Sequence, residues 1–402
     1  MIRILSLALV IAMCLPLVQC ASSPVSAREL TEAEEALVES DNAFGFKLFK
    51  SIVGDEEDKN VFISPLSVSM SLGMTLNGAA GATREAMEQA LELSGLTEQE
   101  INESYQSLID LLAGLDPQVK FQIANSIWYR QEYTLEEDFV TRNTDYFDAD
   151  VSGLDFSDPN TADVINAWVD EKTNGKIEEI VDQEDVLDTV LFLINAIYFK
   201  GTWTYSFDPQ NTYEAQFTLP DGSQKPCQMM SQKGDFQYLE TSEFQAIDLP
   251  YGDGDFSMTI LLPNAGYDID SLITELDPDS WEEWTGSFSE TEVSLDLPKF
   301  TLEYELLLNK VLQSMGMDIA FTPEADFSRM LGSGGLWIDK VKHKTFVEVN
   351  EEGTEAAAVT STGMTLGIGT QMRVDRPFLF AIRDHHSGTV LFIGKIVEPT
   401  MD

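Results

Sequence analysis

The sequence predicts a single α+β domain, with helices mostly in its first half and strands mostly in its second. Three observations carry that prediction. Apolar residues recur at helical spacing early in the chain, and nearly continuous or alternating apolar segments dominate later. No Pro/Gly/Ser-rich linker and no internal repeat divides the 402 residues, although length alone suggests two or three domains.

The chain opens on a leader. Arg3 precedes an apolar run over 4–18, interrupted by Ser6 and Pro16. The run is too short to span a bilayer comfortably and has the plan of a secretory signal. Val25-Ser26-Ala27 is a small-residue cleavage pattern, which sets a signal peptide at 1–27. Leu17-Val18-Gln19-Cys20 also resembles a bacterial lipobox, although Gln19 stands where a small residue is normal. Either leader exports the protein, secreted or periplasmic, and the second would tether it to a membrane through lipid on Cys20. Residues 28–40 then form a short segment or tether, ahead of one domain at 41–399.

Helical spacing runs over 29–53. Ser64 is a plausible N-cap with Pro65 at the first helical position, starting an uncharged helix over 66–80 that is buried on most sides. Further helices are expected at 83–91, 98–112 and 161–173. The apolar run 190–199 suits a central strand covered on both faces. Segments 245–250 and 256–263 bracket Tyr251-Gly252-Asp253-Gly254-Asp255, a hairpin signal. Strands at 292–297, 336–349, 378–383 and 389–397 complete the second half.

One segment does not fit. From Ala356 to Met372 no residue is charged, against 23% charged residues in the chain, and a run of that length arises by chance about 1% of the time. The residues are small and rich in Thr, Ser and Gly. A plain flexible loop is one reading. The other is a strand in waiting. Thr354, Ala356, Ala358, Thr360, Thr362 and Met364 can line one small, uncharged face, and Gly353 suits a hinge.

Here the chain resembles the serpin family. Glu351-Glu352-Gly353-Thr354-Glu355-Ala356-Ala357-Ala358 is similar to the family's hinge motif almost residue for residue. His343 to Asn350 resembles the strand that feeds the hinge. Asn60-Val61-Phe62-Ile63-Ser64-Pro65-Leu66-Ser67 resembles the start of the central helix, and Asn195 to Trp203 the top of the main sheet. Arg376-Pro377-Phe378 and Phe392-Ile393-Gly394-Lys395 match the closing strands. The likeness covers about 41–399.

The resemblance implies a serpin fold: a large central mixed or antiparallel sheet A, smaller sheets B and C, eight or nine helices, and an exposed reactive-centre loop over about 351–375. It implies no enzyme and no cofactor, but a monomeric suicide-substrate inhibitor. A serine protease would be held as a covalent acyl-enzyme while the cleaved loop inserts into the main sheet. Counting back from Pro377 puts the reactive bond at Leu366–Gly367. Counting forward from Glu351 gives Gly367–Ile368. Leu366 is favoured because it offers a side chain to an apolar specificity pocket, as in chymotrypsin-, elastase- or subtilisin-like targets. Ser64, Ser67, Asn195 and His343 would form a polar gate under the sheet, with Trp203 at the insertion point. The alternative is a non-inhibitory relative, a binding module or plain protease substrate, towards which Val359 leans.

Composition removes other classes. With 69 Asp+Glu against 24 Lys+Arg, the formal net charge is −45, and the chain has no basic stripe for nucleic acid or an anionic membrane. Beyond the leader Cys227 stands alone, so no internal disulfide is expected, and neither zinc spacing nor a calcium loop is present. A secreted hydrolase built on His343, His385 or His386 would lack a G-x-S-x-G elbow.

Overall fold

The computed structural model describes residues 28–56, 58–354 and 369–400. Helix α1 (Glu32–Asp55) starts on a capping box in which Thr31 and Glu34 satisfy each other's backbone. It buries Leu37, Phe44, Leu48, Phe49 and Ile52. The boundary expected at 41 therefore falls inside a helix, and 32–40 are its first turns rather than a tether. In α2 (Pro65–Leu76), Ser64 caps the amide of Ser67, Pro65 occupies the first turn, and every side chain except Ser71 is buried. That burial accounts for the missing charge. Next come α3 (Gly81–Ala90), α4 (Glu98–Gly114), α5 (Glu137–Phe147), α6 (Thr161–Lys172) and α7 (Gln183–Asp188), with three more helices later. Ten α-helices thus stand among the described residues, against the eight or nine expected.

The strands, in chain order, are β1 (Val61–Ile63), β2 (Val119–Arg130), β3 (Ala149–Leu154), β4 (Leu191–Thr202), β5 (Tyr213–Thr218), β6 (Gln224–Glu240), β7 (Phe244–Tyr251) and β8 (Phe256–Pro263). There follow β9 (Ser289–Pro298), β10 (Phe300–Leu307), β11 (Lys342–Asn350), β12 (Gly353–Thr354), β13 (Thr370–Arg373), β14 (Phe378–Asp384) and β15 (Val390–Ile396). They build a six-stranded sheet, ordered β10-β11-β12-β4-β2-β3, and a nine-stranded one. The two smaller sheets expected as B and C are joined in the latter. The cause is β6, whose 17 residues pair with β5, β9 and β7 in succession.

As expected, β4 is covered on both faces. Phe199 belongs to the main core with α2, while Ile194 joins Trp128, Ile165 and Val169 in a second cluster beneath α6. The strand expected over 336–349 is shorter than predicted. Ile338 donates to the Ala320 carbonyl and Val341 accepts from Leu308, so ladder pairing begins only at Lys342.

Candidate functional site

The six-stranded sheet holds an irregularity at its centre. β12 is two residues long, yet it lies between the nine residues of β11 and the twelve of β4. It pairs antiparallel with both: Thr354 faces Val349 on one side and Gly201 on the other. Since each is antiparallel to β12, β4 and β11 run parallel to each other. Among the described residues β12 is the element that joins them.

Local chemistry makes the reversal from β11 into β12. Asn350 accepts the Glu352 amide at 3.0 Å through its side chain, an Asx turn. Gly353 has φ +145°, and a Cβ there would stand 2.1 Å from the Gly201 carbonyl oxygen. Only glycine fits. The turn is seated on aromatic side chains. Trp203 donates its backbone amide to the Glu352 carbonyl at 2.9 Å and its indole N–H to the Asn350 carbonyl at 3.0 Å. Its ring stacks on Tyr251 at 4.4 Å between centroids, and the Tyr251 hydroxyl meets Thr354 Oγ1 at 2.8 Å. Glu351 takes Lys299 Nζ and the Thr212 hydroxyl, each at 2.7 Å. Burial pushes the Glu351 carboxyl up, but Lys299 and Thr212 outweigh it and hold it below its usual value.

Lower in the sheet the expected polar residues do meet. Ser64 donates its amide to His343 Nε2 at 3.0 Å and its hydroxyl to the Leu391 carbonyl at 2.7 Å. The Ser67 amide donates to Ser64 Oγ at 3.3 Å, and the Ser67 hydroxyl lies 3.5 Å from the Asn195 carbonyl. Asn195 donates to Asn125 Oδ1 at 2.7 Å. Burial lowers His343 to about 4, so at neutral pH it is an uncharged acceptor. Neither serine hydroxyl points at a base. The cluster ties α2 to β4, β11 and β15, and it is not equipped to activate a nucleophile.

His385 gives no triad either. It lies 3.1 Å from buried Asp248, but the Ser257 hydroxyl donates to Asp248 and not to the imidazole. Burial pushes Asp248 up, and His385 and Arg383 outweigh it to leave the carboxyl at about 2.

Trp203 stands with the hinge, apart from the Ser64–His343 group. The roles of Tyr251, Lys299, Thr212 and Asn125 do not show in the sequence: each meets its partner from a position far along the chain. Glu355, Ala356, Ala357, Ala358, the bonds Leu366–Gly367 and Gly367–Ile368, and Cys20 lie outside the described residues.

A family profile described as Serpin (serine protease inhibitor) matches residues 39–399. The chain belongs to the serpin family. Human neuroserpin is 32% identical over 382 residues, covering 92% of each chain. Tengpin, a thermophilic serpin solved in its native state, is 33% identical with a TM-score of 0.83, covering 94% of this chain and 97% of its own. Human thyroxine-binding globulin, solved with its ligand, is 26% identical with a TM-score of 0.84, covering 92% of this chain and 100% of its own. A serpin is a protease inhibitor by family and not an enzyme, although the thyroxine-binding globulin shows that the fold also serves binding. The six-stranded sheet is the sheet A that the resemblance implied.

Proposed function

We propose that this serpin is an exported suicide-substrate inhibitor of serine endopeptidases with apolar primary specificity. The observation that supports it most is the seat of Gly353 and Thr354 between β4 and β11, antiparallel to both. A strand continued from Thr354 would pair on both edges and make this part of the sheet wholly antiparallel, the more stable arrangement per residue.

The chemistry would run as follows. The protease serine oxygen adds to the Leu366 carbonyl, and the Leu366–Gly367 bond breaks. The Gly367 amine leaves with a proton from the protease's own histidine. The acyl-enzyme is then carried away as the loop inserts. From Glu351 to Leu366 the extended chain spans about 50 Å, close to the domain's diameter of roughly 54 Å. The protease would travel from one pole to the other. Ser64, Ser67, Asn195 and His343 would hold the strands until they part, and Trp203 would carry the hinge. Export would follow from 1–27, through cleavage after Ala27 or lipidation of Cys20.

The test is incubation with chymotrypsin-, elastase- and subtilisin-like proteases, then denaturing gels and mass spectrometry of the released peptide. An SDS-stable complex and a peptide beginning at Gly367 are expected. Cleavage without complex under every protease would leave the binding-module or plain-substrate reading instead.

A further inference from the structure

We propose that Asp185, with Lys340 and Lys342, is an ionic latch across the slot between β4 and β11, and that its release sets the rate of loop insertion. The proposal rests on the insertion reading above and adds the group that regulates it.

Asp185 sits in α7, shortly before β4 begins at Leu191. Its carboxylate is 4% exposed, with Oδ1 2.6 Å from Lys340 Nζ and Oδ2 bonded to Lys342 Nζ. Lys342 is the first residue of β11, and Lys340 lies just ahead of it. One carboxylate therefore ties the segment feeding β4 to the segment feeding β11. It does so at the end of the slot opposite β12.

The two sides belong to different bodies. Arg130, at the end of β2, donates to the Thr189 carbonyl at 2.7 Å and to the Leu187 carbonyl. Val186 packs with Ile165, Val169 and Ile194 in the cluster in front of β4. Hence α7 goes with β2 and β4. Lys342 instead pairs with Leu307 in the β10–β11 ladder. A strand entering the slot would part β4 and β11 by about 4.8 Å, more than a hydrogen-bonded ion pair can follow.

Lys176 also reaches across, 3.9 Å from Glu348 and 4.7 Å from the Phe346 ring centroid, and the Ser64–His343 cluster lies further along, but beside the latch the slot is loosely packed. A cavity of about 270 Å³ runs along the slot, lined by Leu72, Phe327, Met330, Asn195 and His343 among others. Among the described residues Asn195 Oδ1 and Thr189 Oγ1 are buried there without hydrogen-bond partners. Loose packing forfeits dispersion, whereas breaking the latch strands a buried carboxylate. Burial pushes Asp185 up, and Lys340 and Lys342 outweigh it to set the carboxyl at about 2. Asp182 and Asp339 are further charges acting on Lys340.

The test heats the full chain mildly without protease and follows conversion to a heat-resistant, loop-inserted form. Asp185→Asn keeps an oxygen for the Asp182 amide, and should convert about tenfold faster. The double variant Lys340→Met, Lys342→Met should match it, and the triple variant should be no faster, because one tie has been removed. The loop-cleaved form should melt as the parent does, since there the pair is already parted. An unchanged rate in both variants would overturn the latch, as would equal destabilisation of native and cleaved forms. If Asp185→Asn fails to fold, the lysine variant decides. A parent that gains no stability on loop cleavage overturns the insertion reading and the latch together. A parent that gains stability, with unchanged variant rates, overturns the latch alone.

Discussion

The hydroxyls of Tyr251 and Thr354 lie 2.8 Å apart in a site where both residues are buried. The contact joins the tip of β7, in the nine-stranded sheet, to the two-residue strand in the other. It makes Thr354 a committed member of the sheet before any cleavage.

Thr354→Arg should therefore separate cleavage from trapping. A guanidinium at a position 4% exposed would be buried without a partner, at a cost of several kcal/mol. Proteolysis of the loop should continue at the parental rate, while SDS-stable complex falls at least tenfold. Undiminished complex on denaturing gels would contradict the insertion reading.

Gly353→Ala should loosen the same seat by another route. The new methyl would meet the Gly201 oxygen at 2.1 Å in a backbone of φ +145°. A loss of about 1–3 kcal/mol is expected, read as a lower urea midpoint with an unchanged slope.

The pH dependence follows from His343. Its folded value of about 4 lies below the unfolded 6.5, so its contribution is present above pH 6.5 and is lost as pH falls towards 4. The loss amounts to about 3 kcal/mol. His343→Gln retains an acceptor for the Ser64 amide and should flatten this window in urea titrations. Asp41 works in the opposite sense. Burial raises it to about 7, so its contribution falls as pH rises from about 4 to 7, and only the difference between parent and variant isolates the histidine. Identical profiles would mean that His343 does not titrate there.

Trp203 offers a graded test. Trp203→Phe keeps a ring over Tyr251 and removes the bond to the Asn350 carbonyl, costing about 1–3 kcal/mol. Trp203→Ala also removes the stack and should cost about 3–5 kcal/mol. Equal losses would assign the whole effect to the hydrogen bond.

Much of this was legible in the sequence because it is local. Ser64 and Pro65 announce α2, the uncharged run after them announces its burial, and Gly353 announces the hinge. What stayed hidden depends on partners far along the chain. β2 is interrupted by Asn125 and Ser126, which read as polar breaks but are buried, Asn125 bonding the Phe147 carbonyl at 2.7 Å. β6 alternates too weakly to stand out, since its middle, Ser231 to Asp235, is polar or glycine on both faces. The 336–341 stretch carries strand-like residues, but Ile338 is held by Ala320 instead of a ladder. The polar residues around Ser64 could be named from the resemblance. Their bonds could not, because the Leu391 carbonyl and Asn125 come from elements that no spacing connects to Ser64.

The pairing of Gly353 and Thr354 has a kinetic consequence. Starting a new strand between two others means fixing its register, and a slip of one residue would turn its side chains to the wrong face. Here Asn350 opposite Gly353 and Val349 opposite Thr354 set that register in the uncleaved chain. Insertion would then need no nucleation step. Like a primer already annealed to its template, the hinge leaves only elongation, residue by residue in a single direction.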